Sequence, residues 1–265
     1  MLLCFIQLQQ VTSTTKTKAG KTADLFFSSY TGTSPCAGDK PGLQQNGWTQ
    51  LPGSDAADIT VSETGVYYMV NNAGLIYKYN GSSWEKMPGS DGRAIAANAG
   101  KLWLVNTKGK MYQWNNSTNS WTRMPGSDGK DIAIDASGNI WMVNTSGYLY
   151  EYRNSTWYQM AAYDIARVSA GNSLVYLVNT AGKIYRYTLA SGAAQDPGSD
   201  ARDIAVTNDL KGFITNTAGK IYQYQVDRSD GPWLQLSGSD GRTIGANNGK
   251  VVLVNTAGKI YERIY

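Results

Sequence analysis

Acidic, amide and basic side chains recur in this sequence at fixed distances from glycine and serine. Gly-Ser-Asp followed two residues later by a base occurs at Asp91 with Arg93, Asp128 with Lys130, Asp200 with Arg202 and Asp240 with Arg242, and Asp55 ends the same tripeptide. A second series is built on Asn71, Asn106, Asn144, Asn179, Asn216 and Asn255. Four of these head an Asn-Thr-x-Gly-Lys run that adds Lys110, Lys183, Lys220 and Lys259. Aspartate, asparagine and a cation side by side are what a polyhydroxyl ligand requires, because each hydroxyl gives and accepts a hydrogen bond at once. Asp-Gly and Asn-x-x-Gly are also turn formers whose side chains satisfy their own backbone, so the acids and amides have a competing structural role. Turn chemistry does not call for the bases. Hydrogen bonds to charged groups net only about 1.5 to 3 kcal/mol each, so one shallow site binds weakly and repetition must raise the apparent affinity.

Other chemistries fit poorly. There is no histidine, and Cys4 and Cys36 both precede the repeats, so soft-metal ligands are lacking and neither a metal nor another cofactor is expected. A glycosidase needs an acid, a nucleophile and clustered arginines. Here the only glutamates are Glu63, Glu85, Glu151 and Glu262, and the arginines read as one per loop. Nucleic acid is disfavoured, since aspartates offset the cations and the net charge is only +4. A protein-interaction scaffold is the stronger rival, and it calls for apolar hot spots that differ between units; these loops are polar and repetitive.

The elements that carry the loops are legible from the repeat. The landmark asparagines stand 35, 38, 35, 37 and 39 residues apart, giving six units. Pro-Gly-Ser-Asp occurs at 52–55, 88–91, 125–128 and 197–200, with Ser-Gly-Ser-Asp at 237–240. The fourth unit lacks it: Trp157 to Ile165 is three residues shorter than Trp121 to Ile132, so the turn is expected to be deleted there. Each unit reads as four short strands with a period of two. Aromatics lie three residues before the asparagine (Tyr68, Trp103, Trp141, Tyr176, Phe213, with Val252 in the sixth) and at pairs such as Tyr77 and Tyr79 or Tyr112 and Trp114, which mark blade-to-blade packing. The expected fold is all-β, a six-bladed β-propeller of four-stranded blades. The last unit ends at Tyr265 without a Trp strand, and an orphan Trp48 to Leu51 precedes the first, so Trp48–Leu51 is expected to complete the last blade and latch the ring. Lettering strands A to D from the axis outward, the D-to-A and B-to-C loops, which hold every repeated motif, emerge on one face.

The units, W-x-x-[LM]-P-G-S-D-x-x-x-I followed by G-x-I-[YW]-x-V-N-x-x-G-x-I-Y-x-[YW], resemble the tectonin repeat over residues 48–265, about four fifths of the chain. The departures are the fourth unit's turn, Ala193 in place of a tryptophan, and Val252. The resemblance implies a propeller lectin that binds surface glycans, O-methylated mannose or fucose or lipopolysaccharide among them, in defence. Residues 1–47 lie outside the repeats, and their apolar clusters, Met1 to Leu8 and Leu25 to Phe27, are expected to assemble a homo-oligomer. Met1 to Leu8 lacks the charged leader and cleavage site of a signal peptide, and no apolar run approaches transmembrane length, so cytoplasmic residence or non-classical release is expected.

Overall fold

The computed structural model describes residues 47–265 other than 173 and 225–231. The oligomerisation expected of the N-terminal extension, and Cys4 and Cys36, lie outside the described residues. All regular structure in the described part is strand, arranged as six four-stranded antiparallel sheets. The A strands are Ala56–Val61, Gly92–Asn98, Gly129–Ile134, Ile165–Ala170, Ala201–Val206 and Gly241–Asn247. In blades one to five the strands follow in chain order. In the sixth, Thr49–Gln50 takes the outer place and pairs with Ile260–Ile264 through Thr49 opposite Glu262 and Gln50 opposite Tyr261. The ring is therefore closed by the latch that the orphan Trp48 announced.

The period-two pattern puts alternate side chains into the seams between blades. Six buried clusters result, one at each seam. Trp103, Val105 and Met111 of the second blade, for example, meet Ile132, Ile134 and Met142 of the third. The aromatics three residues before the landmark asparagine are buried in blades two to five, as is Val252 in the sixth, while Tyr68 packs against the seam of blades one and two. Fully burying one such ring is worth roughly 2 to 3 kcal/mol, which accounts for the repeated aromatics without any ligand.

A second device ties the outer strand of every blade but the fourth to the loop by which the chain enters that blade. The indole Nε1 of Trp84, Trp121, Trp157 and Trp233 donates to the carbonyl oxygen of Pro52, Pro88, Pro125 and Pro197, each at 2.8 Å, and Trp48 donates to Ser237 at 2.8 Å. The loop glycine lies under the ring: a Cβ on Gly126 would stand 2.8 Å from the Trp157 Nε1.

The fourth blade corrects the sequence reading. Its entering turn is not deleted. Met160 and Met124 make the same backbone bond to strand C, to Leu149 and Met111 respectively, and Asp164 has φ 64° where Asp128 has 69°. Ala161-Ala162-Tyr163-Asp164 therefore replaces Pro-Gly-Ser-Asp at equal length. Ile165 pairs with Asn179 as Gly129 pairs with Asn144, so Ile165 matches Gly129, and Val168 matches Ile132. Ala162 folds into the seam instead of lying under an indole. The partner that would cover it, on strand D (Gly192–Gln195), is Ala193. Both halves of the clasp are thus missing together. Replacing Ala161-Ala162-Tyr163 by Pro-Gly-Ser and Ala193 by Trp should each destabilise alone. Combined, they should show a favourable coupling of roughly 1 to 2 kcal/mol in a double-mutant cycle of urea melts; additive losses would sink the clasp assignment.

Candidate binding face and axial mouth

Every expected acid and amide of the repeated face is engaged in turn structure. Asn71 Nδ2 donates to Asp55 Oδ2 at 3.2 Å, and the same bond joins Asn106 to Asp91, Asn144 to Asp128, Asn179 to Asp164, Asn216 to Asp200 and Asn255 to Asp240 at 3.0 to 3.1 Å. Each asparagine Oδ1 accepts the backbone N–H four residues on, as from Leu75, Lys110 and Lys259. All six aspartates have positive φ, between 64° and 77°. This left-handed conformation is one that Asp tolerates better than most residues because its short side chain bonds locally. The turn role therefore governs these residues in all six blades, the fourth included.

A separate set of contacts chains the blades around the ring. The glycine of each B-to-C turn lies against the aspartate of the next blade's entering loop, and a Cβ on Gly258 would stand 2.8 Å from the Asp55 backbone nitrogen, closing the circle. Lys110, Lys183, Lys220 and Lys259 directly follow these glycines and are exposed. Each is thus set beside an exposed serine and its aspartate: Lys110 by Ser127 and Asp128, Lys183 by Ser199 and Asp200, Lys220 by Ser239 and Asp240, Lys259 by Ser54 and Asp55. Leu75 and Tyr148 stand in the lysine's place at the other two seams.

The remaining expected bases go elsewhere. Arg93, Lys130, Arg202 and Arg242 sit on a β-bulge that interrupts every A strand after its first residue. A bulge re-aims its side chain out of the pleat, and these four converge at the mouth of the axial channel with Arg167 of the fourth blade. Arg93, Arg167, Arg202 and Arg242 are therefore clustered at the axis, where the sequence suggested arginines spread one per loop. Just inside lie Asp58, Asp131 and Asp203, from blades one, three and five. Each carboxylate ties its blade to the next: Asp58 accepts the Ile95 N–H at 2.8 Å, Asp131 that of Val168 at 2.9 Å, and Asp203 that of Ile244 at 2.9 Å. Arg167 Nε lies 3.5 Å from Asp203. Burial, reinforced by Asp131 and Asp203, pushes the Asp58 carboxyl up to about 7, and burial raises Asp131 as well. At the other end the channel is floored by asparagines: Asn98 Nδ2 donates to Asn208 Oδ1 across the ring at 2.8 Å, and Asn247 Nδ2 reaches Asn98 Oδ1 at 3.4 Å.

Asp58, Asp131, Asp203 and Arg167 were not among the expected site residues. The signal of the three aspartates was present as Asp-x-x-Asp at 55–58, 128–131 and 200–203, in alternate units.

Among the described residues no three histidine, cysteine or carboxylate side chains are grouped to hold a metal, and no helix is long and apolar enough to cross a membrane. Curated proteins offer no sequence match. Solved propellers share the fold. A gluconolactonase from Xanthomonas campestris is 10% identical with a TM-score of 0.63, over 82% of this chain and 89% of its own. YCF48 bound to D1 peptide is 16% identical with a TM-score of 0.57, over 85% and 99%. Virginiamycin B lyase from Staphylococcus aureus is 15% identical with a TM-score of 0.56, over 78% and 79%. At such identities the likeness is one of architecture, spanning enzymes and a peptide binder alike. The tectonin domain model matches residues 91–265, nearly five of the six blades described above, and with the Trp-to-Pro clasps and Asp-to-Asn turns repeated around the ring, the chain belongs to the tectonin family.

Proposed function

We propose that this propeller is a multivalent carbohydrate-binding protein without catalytic activity, and that its glycan sites are the four seams where an exposed serine, an aspartate and a lysine adjoin. The observation that carries the reading is the repetition of this trio on one rigid face, at Lys110, Lys183, Lys220 and Lys259. Each trio offers a hydroxyl, a carboxylate and an ammonium group, the mixed donors and acceptors that vicinal hydroxyls use. Arg93, Lys130, Arg202 and Arg242 converge on the axis and so fall outside these seam sites. The tectonin membership favours surface glycans as targets, with terminal O-methylated mannose or fucose and lipopolysaccharide as the ligands to try first, in a defence role. Catalysis is disfavoured because the carboxylates at the axial mouth are committed to backbone N–H groups of the neighbouring blade.

A glycan array with methylated and unmethylated mannosides and fucosides tests the ligand. Lys183→Ala and Lys220→Ala together should leave melting unchanged and lower avidity for a multivalent glycan surface roughly tenfold or more, because half of the linked sites are removed. Monovalent affinity per remaining site should not change. Unaltered surface binding by the double variant would place the glycan sites elsewhere.

A further inference from the structure

Five cations from five successive blades, Arg93, Lys130, Arg167, Arg202 and Arg242, surround a cavity of about 270 Å³ at the axial mouth. They face three carboxylates, so at least two positive charges are uncompensated within the cluster. Arg93, Lys130 and Arg202 make no ion pair or side-chain hydrogen bond to any described residue. Arg242 donates from one terminal nitrogen to the Ala56 carbonyl, while its buried Nε has no partner among the described residues. Like charges are held together here: burial and then Arg167 and Arg93 push Lys130 down, and burial and then Arg202 push Arg242 down. Below the mouth the channel is lined by the backbone and small side chains of the A strands, Ala96, Ala133, Ala205 and Gly245 among them, and ends at the asparagine floor. It is a funnel with a polar floor.

We propose that this funnel is a single site for a tetrahedral oxyanion of the sulfate or phosphate type, borne on a sugar or free, distinct from the seam sites. Guanidinium forks bind such oxygens bidentately. A planar carboxylate presents its two oxygens in one plane, whereas donors arriving from five directions match oxygens that point apart. The first blade contributes Ala57 to the ring instead of a cation, which leaves one side open for the pyranose that carries the ester. The cavity lies at the small end of ligand sites, which run from about 300 Å³, and suits one monosaccharide.

The site also has a pH dependence of fixed sign. Asp58 faces Asp131, Asp203 and Arg167 across the channel and Arg242 beside it, with Arg93, Lys130 and Arg202 completing the rim. Taking up a proton near pH 7 removes a negative charge from below the anion, so affinity rises as the pH falls. Sulfate keeps its own charge through this range and reports the protein alone.

The test is titration calorimetry of the full chain with sodium sulfate, mannose 6-sulfate and mannose, at low salt and at pH 6 and 8. The expected result is one sulfate per chain, bound at least threefold more tightly at pH 6, and lost tenfold or more in Arg93→Gln/Arg202→Gln, whose melting is unchanged. Tighter binding of mannose 6-sulfate than of sulfate would assign a sugar-borne ester, and equal binding a free anion. No sulfate binding to the folded chain, or undiminished binding in the double variant, overturns the proposal. Because Lys183→Ala/Lys220→Ala leaves the funnel intact, sulfate binding should survive in it, so failure of the seam sites and failure of the funnel are separately visible.

Discussion

A chain that starts at Gly53 should melt roughly 10 to 20 °C below one that starts at Gln45. The difference is eight residues, and it removes the latch. Trp48 is 4% exposed and packs with Phe213, Ile221 and Leu253 at the seam of blades five and six, while Leu51, 7% exposed, joins Ile59, Tyr67 and Val254 at the seam of blades six and one. One short strand therefore seals both flanks of the sixth blade. Burial of these two side chains contributes roughly 4 to 6 kcal/mol, and 1 kcal/mol moves the melting point of a domain this size by about 2 to 4 °C. The shorter chain also loses the Pro52 carbonyl that accepts the Trp84 indole, the main-chain bond from Leu51 to Ile260, and the two residue pairs of the latch strand. It leaves Ile260–Ile264 as an uncovered edge, which invites association. Calorimetry on the two chains decides it; equal melting temperatures would mean that the ring holds without its outer strand.

The latch was legible because a Trp strand without a unit and a unit without a Trp strand can complete each other. So was the sharing of one face by the repeated loops, since antiparallel connectivity permits no other assignment. The fourth blade was misread for a definite reason. Counting from Trp157 to the first isoleucine treats Ile165 as the residue that Ile132 represents, but Ile165 occupies the place of Gly129 and the strand continues through Arg167 and Val168. That three-residue slip hid Arg167, the one cation of the axial ring that takes the position of Asp131 in its own blade. It also presented a substituted turn as a deleted one. The two fates of the bases, lysines to the seams and bulge residues to the axis, could not be separated by sequence. Both follow Asp or Asn at short spacing, and only the β-bulge, a property of strand pairing, turns Arg93 and its counterparts toward the channel. The aspartates were ambiguous by nature, because the group that would hold a sugar hydroxyl is the group that holds the turn.

Replacing Asp58 by Asn should stabilise the protein at pH 8 and do little at pH 5. In the unfolded chain this carboxyl loses its proton near its ordinary value of 3.8, whereas in the fold burial and the neighbouring Asp131 and Asp203 hold the proton to about pH 7. Between these values the folded state binds more protons than the unfolded one, so stability falls as the pH rises from about 4 to 7 and stays reduced above. Asp131, raised in the same direction, adds to the trend. A tenfold difference in proton affinity between the two states corresponds to about 1.4 kcal/mol, so a half-buried carboxyl that keeps its proton this long weakens the fold at pH 8 by roughly 2 to 4 kcal/mol. An asparagine keeps an oxygen for the Ile95 N–H and carries no charge to repel Asp131 and Asp203. What it gives up is attraction to Arg242 and to Arg167, the latter retaining Asp203 at 3.5 Å. The wild type should therefore melt several degrees higher at pH 5 than at pH 8, and Asp58→Asn should narrow that gap by raising the pH 8 value by about 5 to 10 °C. The amide also fixes the funnel in its more positive state, so the variant at pH 8 should bind sulfate as tightly as the wild type does at pH 6. A lower melting point for Asp58→Asn at pH 8 would show that the carboxylate form holds the first two blades together more strongly than its burial opposes it.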